Sequence, residues 1–136
     1  MSFDRRRFVR TASGALAFVS SYGLLARAGI AQTQPIKIAN ILDRTGGLNP
    51  YCLKQIKATA MAVDELNAAG GLLGRKLEII FYDSQSNNQL NSQYATQAFA
   101  RDKVDVLIGG VTSSSREVMR PIVNRFRGLY VYNALY

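Results

Sequence analysis

Val104-Asp105-Val106-Leu107-Ile108-Gly109-Gly110-Val111-Thr112-Ser113-Ser114-Ser115 decides the fold. A short apolar run predicts a strand over Val104–Ile108. A Gly-Gly pair lets the backbone turn tightly, and three serines can then cap a helix running toward Arg127. Pro121 lies inside that helix and is expected to kink or restart it. This is strand, glycine loop, helix: one unit of an alternating α/β chain.

The same grammar repeats upstream and downstream. Ile36–Leu42 is apolar, bounded by Pro35 and by Asp43-Arg44-Thr45-Gly46-Gly47, and predicts a strand. Tyr51–Ala69 carries Ile56, Ala60, Val63 and Leu66 at helical spacing, and Gly70-Gly71 follows as a helix stop. Gly74 marks a turn before a second strand, Lys76–Asp83. Asp83–Asn88 is polar loop chemistry, and a helix is expected over Asn91–Arg101 with Tyr94, Ala95, Ala98 and Phe99 inward. Leu129–Tyr132 predicts a fourth strand. Four strands alternating with three helices predict an α/β fold: a parallel sheet with helices on both faces. The chain ends four residues past the last strand, so the sheet is expected to be incomplete.

The amino terminus reads differently. Asp4-Arg5-Arg6-Arg7-Phe8-Val9-Arg10 matches the twin-arginine export consensus, and an uncharged stretch, Thr11–Ala26, follows. Small residues close it, with cleavage expected after Ala31 and Ala28 as the alternative. The uncharged stretch falls short of the roughly 20 residues a membrane anchor needs. Residues 1–31 are therefore read as a signal peptide and 32–136 as the folded part, which is placed in the periplasm.

Charge must be read with that division in mind. The chain has a formal charge of +8, but five arginines and one aspartate in residues 1–31 supply +4 of it. The remainder is dispersed, apart from Arg116, Arg120, Arg125 and Arg127, which read as a solvated or partner-facing surface. No nucleic-acid partner is expected. There is no histidine and one cysteine, Cys52, which excludes a Ser-His-Asp triad, an internal disulfide and a Cys/His zinc site. The nucleotide-binding glycine patterns and the G-x-S-x-G elbow are absent too. No enzyme activity, cofactor or metal is expected.

In parallel sheets, ligands bind at the carboxyl ends of the strands. That rule selects three loops: Asp43–Tyr51, Asp83–Asn88 and Gly109–Ser115. In the third, hydroxyls lie beside free N–H groups at a helix start, which suits a carboxylate, an amide oxygen or a phosphate. The same serines could equally serve only as caps. Asp43 and Asp83 end strands and are read as caps of the following turns rather than as catalytic carboxylates.

Four stretches carry a resemblance. Ala68-Ala69-Gly70-Gly71-Leu72-Leu73-Gly74-Arg75-Lys76-Leu77-Glu78 resembles the "N-A-A-G-G-(V/L)-x-G-R-(K/P)-(I/L)" stretch of type I periplasmic solute-binding proteins. Asp102–Gly110 resembles the strand leading into their ligand loop. Thr112–Val123 resembles the "S-x-(S/T)-R-x-x-x-x-P-(V/I)" helix of the amide and urea branch. Gly128–Tyr132 with Tyr136 resembles that branch's "L-x-x-Y-x-x-x-Y". The likeness covers Ile36–Tyr136. It implies the type I, flavodoxin-like lobe of a protein whose two lobes close over a solute, here the amino-terminal lobe.

The resemblance also implies a role: capture of a small amide, urea or a branched-chain amino acid, and delivery to the membrane permease of an ABC importer. A ligand-sensing domain of a receptor with the same fold is the alternative. It implies further that the Ser113 hydroxyl and the Thr112–Ser114 backbone hold the solute's carboxylate or amide. Tyr51 would supply a cleft-lining aromatic, and Tyr132 and Ala134 would form the next ligand loop. Val111 stands where amide binders tend to carry an aromatic, and Ala134 where some carry a threonine. Urea, short amides and branched-chain amino acids all remain candidates.

Overall fold

The computed structural model describes residues 34–134. The export signal expected over residues 1–31, and Tyr136, lie outside the described residues. Four strands alternate with three helices: β1 (Ile36–Leu42), α1 (Asn49–Ala68), β2 (Leu77–Asp83), α2 (Asn88–Gln97), β3 (Val106–Gly109), α3 (Ser113–Phe126) and β4 (Leu129–Val131). All strand pairs are parallel, in the order β2-β1-β3-β4.

The strands alternate their side chains between two cores, as the pleat requires. Ile38 and Leu77 meet Val63 of α1 on one face. Ala39, Ile41 and Leu107 meet Ala95, Phe99, Met119 and Val123 of α2 and α3 on the other. Burial of large side chains such as Ile41, Leu107 and Met119 stabilises the fold by about 2 kcal/mol each.

Helix α1 starts at Asn49 rather than Tyr51, because Pro50 in the first turn fixes a helical φ where no N–H is needed. Its inner stripe runs through Cys52, Ile56, Ala60 and Val63. Leu66, expected inward, is 37% exposed. Asn67 takes the inward place instead. Its side chain accepts from the Leu77 N–H (2.8 Å) and donates to the Leu77 carbonyl (2.9 Å), tying the helix end to β2. Gly70 and Gly71 adopt positive φ, and Gly71 N–H returns to the Leu66 carbonyl at 2.8 Å, closing a Schellman cap. Leu72 and Arg75 then exchange backbone hydrogen bonds around Gly74, the expected turn. Cys52 is fully buried, and burial pushes its thiol pKa up.

Helix α2 begins three residues before the expected Asn91. Asn87 caps it by accepting from the Gln89 and Leu90 N–H groups, which leaves Asn91 inside the first turn. Its end widens into a π turn, Ala98–Asp102. Strand β3 begins at Val106 rather than Val104, since the Val104 N–H closes onto the Ala98 carbonyl at 3.1 Å.

Pro121 does not break α3, which runs unbroken across it. Proline removes only the bond to the Glu117 carbonyl, and both residues lie on the exposed side, where water can replace it. Ser115, Met119 and Val123 anchor the opposite side.

Candidate functional site

Strand order places a topological switch point between β1 and β3: the connection from β1 runs through α1 on one face, that from β3 through α3 on the other. A crevice outside the carboxyl ends of the strands is expected there. The three predicted loops meet at that edge.

The first two loops are organised by their aspartates. Asp43, almost fully buried, accepts from the Gly46 N–H (2.5 Å), the Leu48 N–H (2.9 Å) and the Ser86 hydroxyl. Asp83 accepts from the Arg44 N–H (2.8 Å), the Thr45 hydroxyl (2.7 Å) and the Gln85 N–H (3.2 Å). Burial opposes ionisation of Asp83, but these hydrogen bonds outweigh it and hold its carboxyl below the ordinary carboxylate pKa. Both carboxylates thus act as turn caps, as their positions suggested.

The third loop is built on close approach. At Gly109, φ is +151°, and a Cβ there would fall 2.1 Å from the Ile41 carbonyl oxygen. Gly110 N–H donates to that same oxygen at 3.0 Å. Helix α3 is capped by Thr112 rather than by a serine of the run. Thr112 Oγ1 accepts from the Ser115 N–H (3.1 Å), and Ser115 Oγ accepts in return from the Thr112 N–H (3.1 Å) and from the Val111 N–H (3.2 Å). Two N–H groups at the helix start, those of Ser113 and Ser114, have no partner among the described residues. Both residues are exposed. They keep the positive end of the helix open to an anion or a carbonyl oxygen.

Two tyrosines of the fourth strand region brace this loop from the side. Tyr130 donates to the Gly109 carbonyl and Tyr132 to the Val111 carbonyl, each at 3.2 Å. Burial pushes the Tyr130 hydroxyl well above the pKa of a free tyrosine. The Arg116 guanidinium stacks 5.1 Å from the Tyr132 ring centroid, and Arg116 and Arg120 both pair with Glu117. Arg116 and Arg120 are therefore part of α3's own surface network.

Two concavities share Val111 as a wall. The inner, about 130 Å³, is lined by Asp43, Ser84, Asn91, Thr112, Ser114 and Ser115 among others. The outer, about 490 Å³, is lined by Tyr51, Gln55, Val111, Asn133 and Ala134. Of the residues expected to form the site, Val111, Thr112 and Ser114 therefore line the inner cavity, and Tyr51, Val111 and Ala134 the outer one. Ser113 lies at the helix tip and lines neither. Tyr132 lines neither as well and reaches the site through Val111.

Sequence reading missed Asn91, Gln55 and Asn133, whereas Ser84 lies in the Asp83–Asn88 loop it selected. Gln55 was within reach, one helical turn after Tyr51 on the same face. Asn91 was not, being one of several asparagines in a polar stretch. Among the described residues no cluster of His, Cys, Asp or Glu could hold a metal ion.

A family model described as "Periplasmic binding protein" matches residues 35–136. The Leu/Ile/Val-binding protein of Escherichia coli K12 is 29% identical over 93 residues, covering 68% of this chain and 25% of its own. The chain thus spans about a quarter of the length of the curated relatives it matches. Among solved structures, the branched-chain amino acid transporter substrate binding protein LivJ of Streptococcus pneumoniae, in complex with isoleucine, superposes with a TM-score of 0.72 at 26% identity, covering 75% of this chain and 30% of that one. The leucine binding protein LivK of Thermotoga maritima gives 0.67 at 26% identity, covering 73% and 27%.

Proposed function

Since the chain belongs to the periplasmic binding protein family, we propose that it forms the amino-terminal lobe of an extracytoplasmic solute-binding protein. It captures a small amide, urea or a branched-chain amino acid and delivers it to the permease of an ABC importer. Residues 1–31 act as a twin-arginine signal, cleaved near Ala31, and residues 32–136 belong to the lobe. The work is capture and release without turnover.

One observation carries the reading: the unpartnered Ser113 and Ser114 N–H groups at the start of α3. They stand at a strand's carboxyl end, where a solute's carboxylate or carbonyl oxygen would complete them. The Ser113 hydroxyl adds a third donor. Tyr51 and Ala134 wall the outer recess, and Tyr132 fixes the loop through the Val111 carbonyl. The relatives named for leucine, isoleucine and valine binding support the amino-acid member of the set.

Calorimetry on the complete protein with leucine, isoleucine, valine, urea and acetamide tests this. Saturable one-site binding, with the solute recovered unchanged, is the expected result. Conversion of any of them to product would overturn it.

A further inference from the structure

The four parallel strands share an amino end, opposite the edge where the three loops meet. The chain enters the fold there, at Gln34. Arg75 fixes the point of entry: its Nε donates to the Gln34 carbonyl (2.6 Å) and its guanidinium to the Pro35 carbonyl (3.1 Å). Arg75 also closes the tight hairpin that starts at Leu72. Both central residues of that hairpin, Leu73 and Gly74, have positive φ, a geometry that favours asparagine and glycine. Leu73 stands 96% exposed at the tip, with Leu72 exposed beside it. A leucine there is unfavourable twice over, in backbone conformation and in apolar surface left in water, and the isolated fold gains nothing from it.

Cations surround the tip. Lys103 precedes β3 and Arg127 precedes β4, each left-handed at a helix end. Arg125 lies beside exposed Phe126, its guanidinium 6.0 Å from the ring centroid. All three cations are exposed, and none pairs with a carboxylate among the described residues. The acids at this end are already engaged. Asp102 takes Arg101 and the Tyr82 hydroxyl, and Asp105 takes the Lys37 N–H (2.9 Å) and pairs with Arg75 at 4.0 Å. A cation after a helix end complements the helix dipole, which accounts for Lys103 and Arg127 but not for the bare leucines. Neighbouring strands lie about 4.8 Å apart, so the heads of β2, β1, β3 and β4 form a row about 14 Å long. Such a row matches a flat anionic surface and does not enclose a small ion.

We propose that this end of the lobe rests on an anionic phospholipid bilayer, with Leu72 and Leu73 among the headgroups and Lys103, Arg125 and Arg127 facing the phosphates. Residues 1–33 join the fold at the same end. As an export signal they are held at a membrane, and that tether raises the effective concentration of a weak contact. The solute site, at the other end of the strands, then faces away from the bilayer. Only this consequence rests on the export reading, and the contact itself is independent of solute capture.

Vesicle flotation of the complete protein, starting at Gln32, tests the contact. Vesicles of phosphatidylcholine alone are compared with vesicles of phosphatidylcholine and phosphatidylglycerol. Partition onto the anionic vesicles is expected to be at least about tenfold stronger and to weaken as salt rises. Leu73→Asp, and separately Lys103→Glu with Arg127→Glu, are each expected to abolish it. Thermal unfolding and solute calorimetry on the same variants are expected to be unchanged, which separates a lost contact from a lost fold. Equal partition onto both vesicles, partition onto neither, or anionic binding retained by both variants would overturn the inference. Self-association that Leu73→Asp abolishes, without vesicle binding, would overturn it too and make the patch a contact between copies. Vesicle binding without any solute binding would overturn the solute-binding reading and leave this one standing.

Discussion

Thr112 and Ser115 cap each other: each side-chain oxygen accepts the other residue's backbone N–H at 3.1 Å. The Ser115 oxygen also takes the Val111 N–H. One buried hydroxyl thereby shapes the whole turn between β3 and α3, and leaves Ser113 and Ser114 as the N–H groups still open.

Ser115→Ala should lower stability by about 1–2 kcal/mol, the loss of a cap together with two donors left unpaired. It should also weaken solute binding, because the loop it shapes presents the Ser113 and Ser114 donors. Chemical denaturation and calorimetry on the same variant check both. Full stability with unaltered binding would mean the loop is held by other contacts.

Gly109→Ala should be far more damaging. The added methyl carbon would lie 2.1 Å from the Ile41 carbonyl oxygen, on a backbone that L-residues rarely adopt. β1 and β3 would have to separate at the site itself. A loss of about 3 kcal/mol or more is expected in denaturant unfolding.

Pro121→Ala should stabilise the protein by about 1–3 kcal/mol, restoring a helix bond on the exposed side of α3. A rise in Tm is the expected readout. A fall would show that Pro121 makes a contact that the helix needs.

Asp83 gives the pH dependence its sign. Its folded pKa is depressed below the unfolded value, so its contribution is present above the unfolded pKa, about 3.9, and is lost as pH falls through the folded one. Stability should therefore decline below about pH 4. Asp83→Asn should be less stable at neutral pH and show a shallower acid decline.

Legibility in the sequence followed burial. The strands were readable because a sheet covered on both faces needs nearly unbroken apolar runs, as in Ile36–Leu42. Boundaries failed where two residues of the same type competed: Asn87 and Asn91 can both cap, and only the tertiary setting selects Asn87. Leu66 and Asn67 exchanged roles because the side-chain hydrogen bonds of Asn67 to Leu77 outweigh the apolar preference at the helix end. Pro121 did not restart the helix because the carbonyl it frees lies on the exposed side, where water can take it, so the missing bond costs stability without ending the helix. At the site, the glycine pair and the serine run were visible as chemistry. Asn91 and Gln55 were not, since a cavity wall exists only once the chain has closed around it.

On this reading the Ser113 and Ser114 N–H groups hold the solute. Amide nitrogen and proton chemical shifts, followed in the complete protein while isoleucine and, in parallel, acetamide are added, test it most directly. The Ser113 and Ser114 resonances are expected to move furthest and to saturate with the ligand that binds. Saturable shifts confined to other parts of the lobe, with these two amides unmoved, would contradict it.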